Sequence, residues 1–360
     1  MERKWKPRTY KEGDEEGIVK LTKLAFGWDD PQKWNWRYKE NPAGMGKIMV
    51  ADDGGEIVGH GALIPVKMKI GKEIVTAYVS GDSVTHPGYR RQGIFEVLDS
   101  KKRAEAERDG NYVAYRFPNK LAYPGAIKLG WSDVCRLKTF VKPLNLENAL
   151  KSYFKNQFLQ RFFAVIGNLI IHLLYRTKKP PKMAGLRVNR ISSFDNRINE
   201  LWRKVSNDHD IMVVRNKEYL NWKYFRMPDS DFVIYGAEKE EQIGGYIILK
   251  CTRQPQGFSM GHICELIAPL GEAKVIHCLI SKAIEYFKEE KIDLIFYEMK
   301  AEKTYYKILR NCGFISSRRL DKRHFCVYNS HPAISRTYLE DPEHWFIQKG
   351  DSTFGDSVVG

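Results

Sequence analysis

The sequence predicts a protein of the α/β class in which one mixed-sheet fold occurs twice, with a basic, amphipathic helical connector between the two copies. Three observations lead to this prediction. A strand, a glycine-containing turn and a helix follow one another around residue 90, and a set of residues recurs at a constant spacing of 186. The length of 360 residues fits two domains, and a hydrophobic share of 43% is ample for two sizeable cores.

The first 140 residues alternate between helical and extended patterns. Apolar residues at helical spacing predict a first helix, and a proline marks the start of a second. Extended runs on either side of a Gly-Gly turn predict a hairpin, which a third extended run follows. The predicted elements are the helices Asp14–Phe26 and Pro31–Glu40, the strands Lys47–Ala51, Ile57–Ile70 and Glu73–Thr85, a helix from about Gln92 to Glu107, the strand Tyr112–Arg116 and a helix between Asn119 and Gly130.

The turn that follows the third extended run predicts an anion site. Backbone N–H groups at the start of a helix have no partner within the helix, and the positive end of the helix dipole strengthens their attraction for a negative charge. Arg90 and Arg91 add positive charge, and Gly93 allows a ligand to approach the backbone. A diphosphate fits such a site; an ordinary corner with solvated arginines is the alternative.

The stretch around this turn resembles the acyl-CoA pyrophosphate loop of the GNAT superfamily of N-acetyltransferases, whose pattern is (Gln/Arg)-x-x-Gly-x-(Gly/Ala). Arg90 and Gly93 match the pattern within the frame set by Val84 and Pro87, whereas Phe95 stands where glycine or alanine is usual. The resemblance implies that the protein binds acetyl-CoA, or another acyl-CoA, as a co-substrate. The residues that it places against the cofactor are Ser83, Val84, Thr85, Arg90, Arg91, Gln92, Gly93, Ile94 and Phe95.

A second segment carries the same resemblance. Asn119, Ala122 and Gly130 match a family pattern in which the asparagine helps to hold two strands apart and contacts the cofactor arm. The family's usual tyrosine, which protonates the leaving thiolate, is replaced by Ala126. Tyr123 is the nearest substitute, and it is predicted either as that acid or as a packing aromatic.

The second copy is predicted from an internal echo. Asn35–Tyr38 (NWRY) recurs as Asn221–Tyr224 (NWKY), and a constant register over two dozen residues indicates a duplicated fold. The same spacing of 186 relates Pro42 to Pro228, Ala51 to Ala237, Ile57 to Ile243 and Gly59 to Gly245. The elements that mirror those of the first copy are Phe194–Val205, His262–Pro269, Ala273–Glu289, Ile292–Tyr297 and Thr304–Phe314.

The second copy lacks the features of the anion site. The run Pro269–Val275 replaces the arginine-containing turn, and Glu272 would repel a phosphate at a helix N-terminus. We therefore predict a degenerate second copy, an arrangement that the resemblance to tandem GNAT proteins implies. The predicted boundaries are 1–145 for the first domain, 146–185 for the connector, 186–330 for the second domain and 331–360 for a C-terminal tail.

Composition disfavours several other classes. The six cysteines form no C-x-x-C pair and indicate buried thiols in a reducing cytosol, so the predicted location is cytoplasmic. The N-terminal residues contain no apolar run of the kind that marks a secretory signal. No metal motif and no Ser/His/Asp constellation stands out, and we expect no metal cofactor.

Much of the net charge of +15 falls between the two copies. Residues 148–194 contain nine basic residues and no acidic residue, together with a wide apolar face. Arg161, Asn168 and His172 interrupt the apolar run, so we do not expect it to span a membrane. Three interpretations compete: a buried interdomain helix, a helix that contacts an anionic membrane through residues 151–182, and a nucleic-acid surface, which is disfavoured because no base-reading module accompanies it.

Acyl transfer to an amine requires a base, because an alkyl amine with a pKa near ~10 is mostly protonated at neutral pH. Asp82, five residues before Pro87, is the candidate base, and a carboxylate hydrogen-bonded at a strand bulge is the alternative. A backbone N–H near Val84 would stabilise the oxyanion, while Ser83 and Thr85 would shape the pocket. Direct attack, without a covalent enzyme intermediate, is sufficient.

The predicted function is N-acetyl transfer from acetyl-CoA to a primary amine by the first domain. The expected acceptor is a small-molecule amine such as an aminosugar or an envelope precursor, and a membrane contact would fit the envelope precursor. One alternative is a Fem-type aminoacyl transferase that uses aminoacyl-tRNA, which the CoA loop disfavours. Another is a non-catalytic, membrane-recruited protein that binds acyl-CoA. The stretch Trp345–Gly360 is predicted either as a tail or as a loop strapped across the acceptor cleft.

Overall fold

The computed structural model describes residues 4–27, 30–108, 110, 113–148, 165–169, 175–181, 183–254, 257–300 and 302–353, and it contains two mixed β-sheets. The strands before the connector are β1 (Lys6–Thr9), β2 (Lys47–Asp53), β3 (Glu56–Ile70), β4 (Glu73–Thr85), β5 (Val113–Arg116), β6 (Ser132–Arg136) and β7 (Lys138–Pro143). The strands after it are β8 (Arg187–Arg190), β9 (Ile211–Val213), β10 (Val233–Lys239), β11 (Gln242–Arg253), β12 (Ser259–Ile267), β13 (Leu294–Met299), β14 (Ile315–Ser316) and β15 (His324–Asn329).

Helices connect these strands in both halves. The helices before the connector are α1 (Glu15–Phe26), α2 (Pro31–Tyr38), α3 (Ile94–Arg108) and α4 (Tyr123–Lys128). Those after it are α5 (Arg197–Ser206), α6 (Lys217–Leu220), α7 (Ala273–Glu289), α8 (Lys303–Asn311) and α9 (Arg336–Glu340).

Local sequence explains where two of the helices start. The Asp30 carboxylate accepts a hydrogen bond from the Gln32 amide (2.8 Å) ahead of α2, and Pro31 occupies its first position. The helix α3 begins at Ile94, two residues after the expected start at Gln92. The reason is that Arg91 (φ 63°) and Gly93 (φ 78°) have left-handed backbone conformations, which a right-handed helix does not contain.

The two sheets have the same construction. The first has the strand order β1-β2-β3-β4-β5-β15-β6, with β9 beside β3, and the second has the order β8-β10-β11-β12-β13-β7-β14. In each sheet one central pair is parallel, β4 with β5 and β12 with β13, and the other pairs are antiparallel. The predicted α/β class with a duplicated mixed sheet is therefore confirmed.

The two halves exchange one strand each. Strand β7 comes before the connector but lies in the second sheet, between β13 and β14. Strand β15 comes from the end of the chain but lies in the first sheet, between β5 and β6. The two strands have equal lengths and begin 186 residues apart, at Lys138 and His324. Each half therefore needs the other to complete its sheet, while the boundaries at residues 145, 185 and 330 stay predictions.

The repeated tryptophans lie face to face where the two copies meet. The indole rings of Trp36 and Trp222 stack with centroids 4.9 Å apart. Trp36 Nε1 donates to the Trp222 carbonyl oxygen (2.7 Å), and Trp222 Nε1 donates to the Trp36 carbonyl oxygen (2.9 Å). Each tryptophan thus makes to the other the same contact that it receives. Such reciprocal contacts are the pattern expected about a two-fold axis.

Trp36→Phe should lower the free energy of unfolding by about 1–2 kcal/mol more than Trp34→Phe does, as measured by urea denaturation. Both tryptophans are buried in α2, but the indole N–H of Trp34 has no partner among the described residues. Only the Trp36 substitution therefore removes a hydrogen bond and leaves a buried carbonyl oxygen without its donor. Equal losses for the two variants would contradict the proposed role of the reciprocal bonds.

The end of the chain forms a buried strap between the two sheets, defined here as residues 345–353. The Ile347 carbonyl accepts a hydrogen bond from the Lys300 amide (2.8 Å), beside β13 of the second sheet. Tyr115 of the first sheet donates its hydroxyl hydrogen to the Asp351 carbonyl (3.0 Å), and Arg215 donates to the Asp351 carboxylate (2.8 Å). A strap, rather than a tail, therefore accounts for residues 345–353, and residues 354–360 lie outside the described part.

Fewer than half of the residues of the predicted connector, 146–185, belong to the described residues. Residues 165–169 are helical, and Val165 and Leu169 within them are exposed. Most of the basic segment 151–182, on which the membrane and nucleic-acid interpretations depend, lies outside the described residues. Among the helices that the structure does describe, none is both long enough and apolar enough to cross a bilayer.

Candidate acyl-CoA site

The predicted anion site is an open corner between β4 and α3. After β4, Pro87–Tyr89 form one short 3₁₀ turn, which the Tyr89 hydroxyl ties to the Asp53 carboxylate (2.6 Å). The His86 amide donates to the Val58 carbonyl (2.9 Å), so the start of the turn is fixed to β3. The chain then passes through the left-handed residues Arg91 and Gly93 into the helix.

The amides of this corner are free to bind a ligand. No described residue accepts a hydrogen bond from the backbone N–H of Arg91, Gln92 or Gly93. The side chains of Arg90, Arg91 and Gln92 are exposed, and a Cβ built on Gly93 would have no atom within 4 Å. Successive free N–H groups, a helix N-terminus and two arginines in open space form the geometry that binds a diphosphate.

Phe95, the departure from the family pattern, has a packing explanation. A Cβ on Gly125 of α4 would lie 2.9 Å from the Phe95 ring, so the ring covers that glycine. The Arg116 guanidinium lies 5.4 Å from the same ring. The bulky residue at the first turn of α3 therefore points towards α4 and leaves the free amides uncovered.

A bulge in β4 lies just ahead of the corner. His60 pairs with Val84 and Ala62 pairs with Gly81, so two residues, Asp82 and Ser83, stand opposite one residue of β3. Asp82 has a φ of 52°, and His60 Nδ1 donates to its carbonyl oxygen (2.8 Å). Such a bulge increases the local twist and redirects the strand.

The two parallel strands part next to this bulge. The β4–β5 register contains only two pairs, Tyr78 with Ala114 and Val79 with Tyr115. From Ser80 onward β4 continues without a registered partner on that side. An extended ligand with amide groups can pair with such a free strand edge, as a peptide does when it adds to a sheet. Thr85, at the end of β4, pairs with Gly59 of β3 on its other side.

Asp82, the predicted base, is buried, and its carboxylate is hydrogen-bonded to two side chains. Its carboxylate accepts hydrogen bonds from Arg37 Nη1 (2.5 Å) and from the Tyr38 hydroxyl (2.6 Å). Burial alone would raise the pKa of this carboxyl, but Arg37 and the Tyr38 hydroxyl outweigh burial and hold the pKa below its usual value. The side chain is 4% exposed. The geometry fits a carboxylate that holds the bulge, and the role of Asp82 as base stays a prediction.

Asn119 and Tyr123 lie beyond the end of β5. The Asn119 side-chain oxygen accepts hydrogen bonds from the amides of Leu121 (3.1 Å) and Ala122 (2.9 Å), so it stabilises the turn that leads into α4. Its amide group is exposed and remains a candidate contact for the cofactor arm. The Tyr123 hydroxyl donates to the Asp133 carboxylate (2.8 Å), which raises the pKa of the phenol.

Sequence reasoning missed a buried ionic cluster behind β4. Lys102 of α3 donates to the Ser80 hydroxyl (3.0 Å) and lies 3.2 Å from the Asp99 carboxylate. Burial lowers the pKa of Lys102 to about 8 against the opposing effect of Asp99. Arg116 also contacts Asp99 (3.3 Å). The only signal in the sequence is that Asp99 and Lys102 fall on the same side of α3 as the apolar Ile94 and Leu98, and such charges must be paired.

The second half has a counterpart of the bulge but not of the corner. The pairing of β11 with β12 shifts register between Ile248 and Leu249. Glu265, next to this shift, accepts hydrogen bonds from Tyr224, the repeat equivalent of Tyr38, and from Arg215. The loop from β12 to α7 contains five residues, 268–272, whereas the loop from β4 to α3 contains eight, 86–93. Within it, the Leu270 amide donates to the Asp208 carboxylate (2.8 Å). The shorter loop therefore lacks the run of free amides.

The strap occupies the gap between the parallel strands β12 and β13 of the second sheet. The corresponding gap in the first sheet, between β4 and β5, is open. Gln348 Oε1 accepts hydrogen bonds from the Leu266 amide (2.9 Å) and the Tyr297 hydroxyl (2.7 Å), and Gln348 Nε2 donates to the Leu266 carbonyl (3.0 Å). Gln348 also pairs with Met299 of β13 as an isolated bridge. A side chain and backbone of the chain itself therefore occupy the gap between β12 and β13.

A strand that bulges and parts from its parallel neighbour, followed by a corner of free amides, is the geometry expected of an acyl-CoA site. Residues 6–134 match the family model described as an acetyltransferase (GNAT) domain. Residues 6–134 are therefore the part of the chain that matches a GNAT domain, and the resemblance seen in the sequence is confirmed. No curated protein sequence matches the chain.

Solved structures with the same fold extend over both sheets. A probable N-acyltransferase from Enterococcus faecalis is 10% identical, with a TM-score of 0.63, and the match covers 91% of this chain and 73% of that one. A GCN5-related N-acetyltransferase from Anabaena variabilis is 14% identical, with a TM-score of 0.59 and coverages of 90% and 72%. N-myristoyltransferase of Saccharomyces cerevisiae with bound myristoyl-CoA is 13% identical, with a TM-score of 0.61 and coverages of 96% and 86%.

The family match and the structural similarities support different conclusions. The identities of 10–14% show the fold alone, and the coverage of 90–96% shows that this fold is the tandem one. The family match concerns the first half, which also holds the corner and the open strand edge. Acyl transfer from CoA to an amine is the class of activity that these findings support.

Proposed function

We propose that the first half of the protein transfers an acyl group, acetyl in the simplest case, from its CoA thioester to a primary amine. The observation that carries this proposal is the free-amide corner at Arg91–Gly93 together with the unpaired edge of β4. The corner would bind the diphosphate of CoA, and the edge of β4 would bind its amide-containing arm. The acceptor amine would attack the thioester directly.

The corner residues would share the work of holding CoA. The amides of Arg91, Gln92 and Gly93 would donate to the diphosphate, with Ile94 and Phe95 in the first turn of the helix. The exposed side chains of Arg90 and Arg91 would add charge-assisted bonds. The arm would run along Ser83, Val84 and Thr85 towards the exposed amide of Asn119.

The transfer itself needs little from the protein beyond position and polarity. Holding the amine next to the thioester removes most of the entropic barrier. A backbone N–H of the bulged segment near Val84 would stabilise the oxyanion of the tetrahedral intermediate, and one such donor is worth about 3 kcal/mol. No covalent enzyme intermediate is required.

Three features support a degenerate second half. Its corner is three residues shorter, Glu272 precedes the helix that follows, and Gln348 occupies the gap between its parallel strands. A phosphate at the N-terminus of α7 would face a carboxylate, which is unfavourable. The second half would then complete the first sheet through β15 and support the bulge through the strap.

The strap also bears on the size of the acyl group. A Cβ on Gly81, next to the bulge, would lie 2.9 Å from Thr353 Cγ2, so this face of β4 is covered. Such a cover leaves little room for a long chain and favours a short acyl group. The yeast structure with bound myristoyl-CoA makes a long chain the alternative to test.

The acceptor would be a small primary amine such as an aminosugar or an envelope precursor. The reaction would take place in the cytoplasm, or at the membrane surface through residues 151–182.

The proposal predicts that the double substitution Arg90→Glu and Arg91→Glu weakens acetyl-CoA binding by ~100-fold, because two charge-assisted bonds to the diphosphate are replaced by repulsion. Calorimetry with acetyl-CoA and with myristoyl-CoA measures the affinity and the chain-length preference. The matched control is Arg203→Glu with Lys204→Glu, two adjacent cations at the C-terminal end of α5, far along the chain from the corner. Unchanged affinity in the corner variant would exclude this assignment.

Turnover is measured separately, by release of free CoA thiol over a panel of amines: glucosamine, a glycine tripeptide, lysine and spermidine. Acyl transfer predicts thiol release that depends on both acetyl-CoA and one of these amines. Binding of acetyl-CoA without transfer to any amine would favour a non-catalytic acyl-CoA-binding protein. Transfer from aminoacyl-tRNA in place of acetyl-CoA would favour the Fem-type alternative.

A further inference from the structure

A histidine, an aspartate and a tyrosine from three separate elements meet next to the open end of the first sheet. His324 Nδ1 donates to Asp133 Oδ2 (2.8 Å), and the Tyr123 hydroxyl donates to the same oxygen (2.8 Å). The rings of Tyr123 and His324 stack with their centroids 3.9 Å apart. His324 belongs to the exchanged strand β15, Asp133 to β6, and Tyr123 begins α4.

The strand register places this cluster at the level of the bulge. Val79 of β4 pairs with Tyr115 of β5, so the bulged Ser83 is level with the residues just past the end of β5. Cys326 of β15 pairs with Arg116, and His324, two residues earlier in an antiparallel strand, therefore also lies just past that end. Cys326 and Ala126 of α4 belong to one buried hydrophobic cluster, so His324, two residues from Cys326, lies on the face of the sheet that this helix covers.

The hydrogen bond to Asp133 defines what the imidazole can do. A carboxylate that accepts the Nδ1 hydrogen fixes the tautomer and leaves Nε2 as the basic atom. No described residue pairs with His324 Nε2. The side chain of His324 is 14% exposed and that of Asp133 is 28% exposed, so the pair lies in a shielded position that solvent still reaches. Asp82, in contrast, is paired with a guanidinium and almost wholly buried.

We propose that His324 is the proton acceptor for the attacking amine and that Asp133 is its positioning residue, an inference that rests on the proposed acyl transfer. The lone pair of the neutral amine forms the new C–N bond with the thioester carbonyl carbon, and the C–S bond breaks. His324 Nε2 accepts the proton that the amine nitrogen loses, and Asp133 stabilises the imidazolium. The imidazolium then gives this proton to the CoA thiolate, so the products are an amide and free CoA thiol.

The exchanged strand gives this assignment a consequence for the whole chain. His324 comes from the second half, whereas the corner, the bulge, Asp133 and Tyr123 come from the first. The reacting centre would thus be complete only when both halves are folded together. Tyr123, by its bond to Asp133 and its stacking on the imidazole, would hold the pair in place.

The test compares His324→Ala and Asp133→Asn with the intact chain, with acetyl-CoA and the best amine of the panel. Removal of a general base predicts that kcat of His324→Ala falls by ~100-fold. Its affinity for acetyl-CoA, from calorimetry, should be unchanged, and added imidazole should restore part of the lost rate. Asp133→Asn should lower kcat by at least ~10-fold with little change in the KM for the amine. If His324→Ala does not fold, His324→Gln takes its place, with a thermal melt as the check.

The chain offers a matched control at the opposite end of the same sheet. His344 Nδ1 lies 2.6 Å from an Asp210 carboxylate oxygen and stacks on Tyr338 with centroids 4.2 Å apart. The Asp210 carbonyl accepts a hydrogen bond from Gly71, in the turn where β4 begins. His344→Ala should therefore leave kcat unchanged.

The outcomes separate this inference from the proposed function. Full activity in His324→Ala, or an equal loss in His344→Ala, would overturn the role of His324 and leave acyl transfer in place. An intact protein that transfers acetyl to no amine would overturn both. Loss of acetyl-CoA affinity in His324→Ala would also overturn the assignment, because a proton acceptor contributes to the reaction and not to donor binding.

Discussion

Gly93→Trp is expected to weaken acetyl-CoA binding by at least ~100-fold, a loss of about 2.7 kcal/mol, while the fold persists. A Cβ at this position meets no atom within 4 Å, so the indole would project into the space that the diphosphate needs. The φ of 78° also strains any residue other than glycine, by about 1–2 kcal/mol, and this strain would disturb the neighbouring amides. Calorimetric titration with acetyl-CoA measures the loss.

The control for this substitution is Gly13→Trp. Gly13 has a φ of 94° and equally open surroundings, but it lies in the turn before α1. The same strain and the same added surface should therefore leave the affinity for acetyl-CoA unchanged. A corner variant that binds acetyl-CoA as tightly as the control would show that the diphosphate does not bind at Gly93.

Asp82→Asn is expected to lower the free energy of unfolding at pH 7 by about 3–5 kcal/mol, because it removes the carboxylate charge that pairs with the buried Arg37 guanidinium. Asparagine tolerates the left-handed backbone of this residue, so backbone strain does not contribute. Urea denaturation followed by circular dichroism measures the loss. A general base with no structural role would instead give a lower kcat at unchanged stability, so the same variant decides between the two roles of Asp82.

Asp229→Asn is the matched control for Asp82→Asn. Asp229 has the same φ of 52° and pairs with Lys33 across the two halves (3.2 Å), but its side chain is 78% exposed. An exposed pair contributes little, so the expected loss is under about 1 kcal/mol. A similar loss for both variants would mean that burial of the Arg37–Asp82 pair does not determine its contribution.

The contribution of Asp82 should depend on pH in a defined direction. The pKa of its carboxyl is lower in the folded protein than the value of about 3.9 in an unfolded chain. The folded state therefore holds the ionised form more strongly, and the stabilisation is complete above about pH 4. It declines as the pH falls through the folded pKa. The difference in stability between the intact protein and Asp82→Asn should stay constant from pH 7 to about pH 4 and narrow at lower pH.

The corner could be predicted from the sequence because its features are local. Arg90, Arg91 and Gly93 stand next to one another in the chain, and a turn with a glycine before a helix fixes where their amides point. The start of α3 was misplaced by two residues because nothing in the sequence shows that Arg91, an ordinary L-residue, adopts a left-handed conformation. That conformation is uncommon outside glycine and asparagine.

The duplicated fold could be predicted because the echo of NWRY in NWKY keeps a constant spacing. The repeated motif also contains the side chains that bind the carboxylates at the two bulges, a role that was not predicted from the sequence. Arg37 and Tyr38 of the first motif bind Asp82, and Tyr224 of the second binds Glu265, so the repeated motif marks the residues that hold each bulge. A repeat was visible in the sequence, but its carboxylate partners were not, because they lie more than 40 residues away.

The pairing of the strands could not be predicted from the sequence. The His324–Asp133 pair depends on that pairing, so it could not be predicted either. Neighbouring segments usually pair, a rule that would place β7 beside β6 and β15 beside β14. The structure exchanges these two strands, and this exchange alone brings His324 to within 2.8 Å of Asp133. The two residues are 191 positions apart, and no spacing rule connects them.

The sequence by itself determined the fold class, the duplication and the open corner of the first half, because backbone propensity, hydrophobic periodicity and turn chemistry act over a few residues. Only the tertiary structure decided that Asp82 lies in a buried ion pair, that the strap fills the second sheet and that an exchanged strand brings a histidine to the first. Those contacts join segments that are distant in the chain, and their formation depends on which surfaces become buried together when both halves fold.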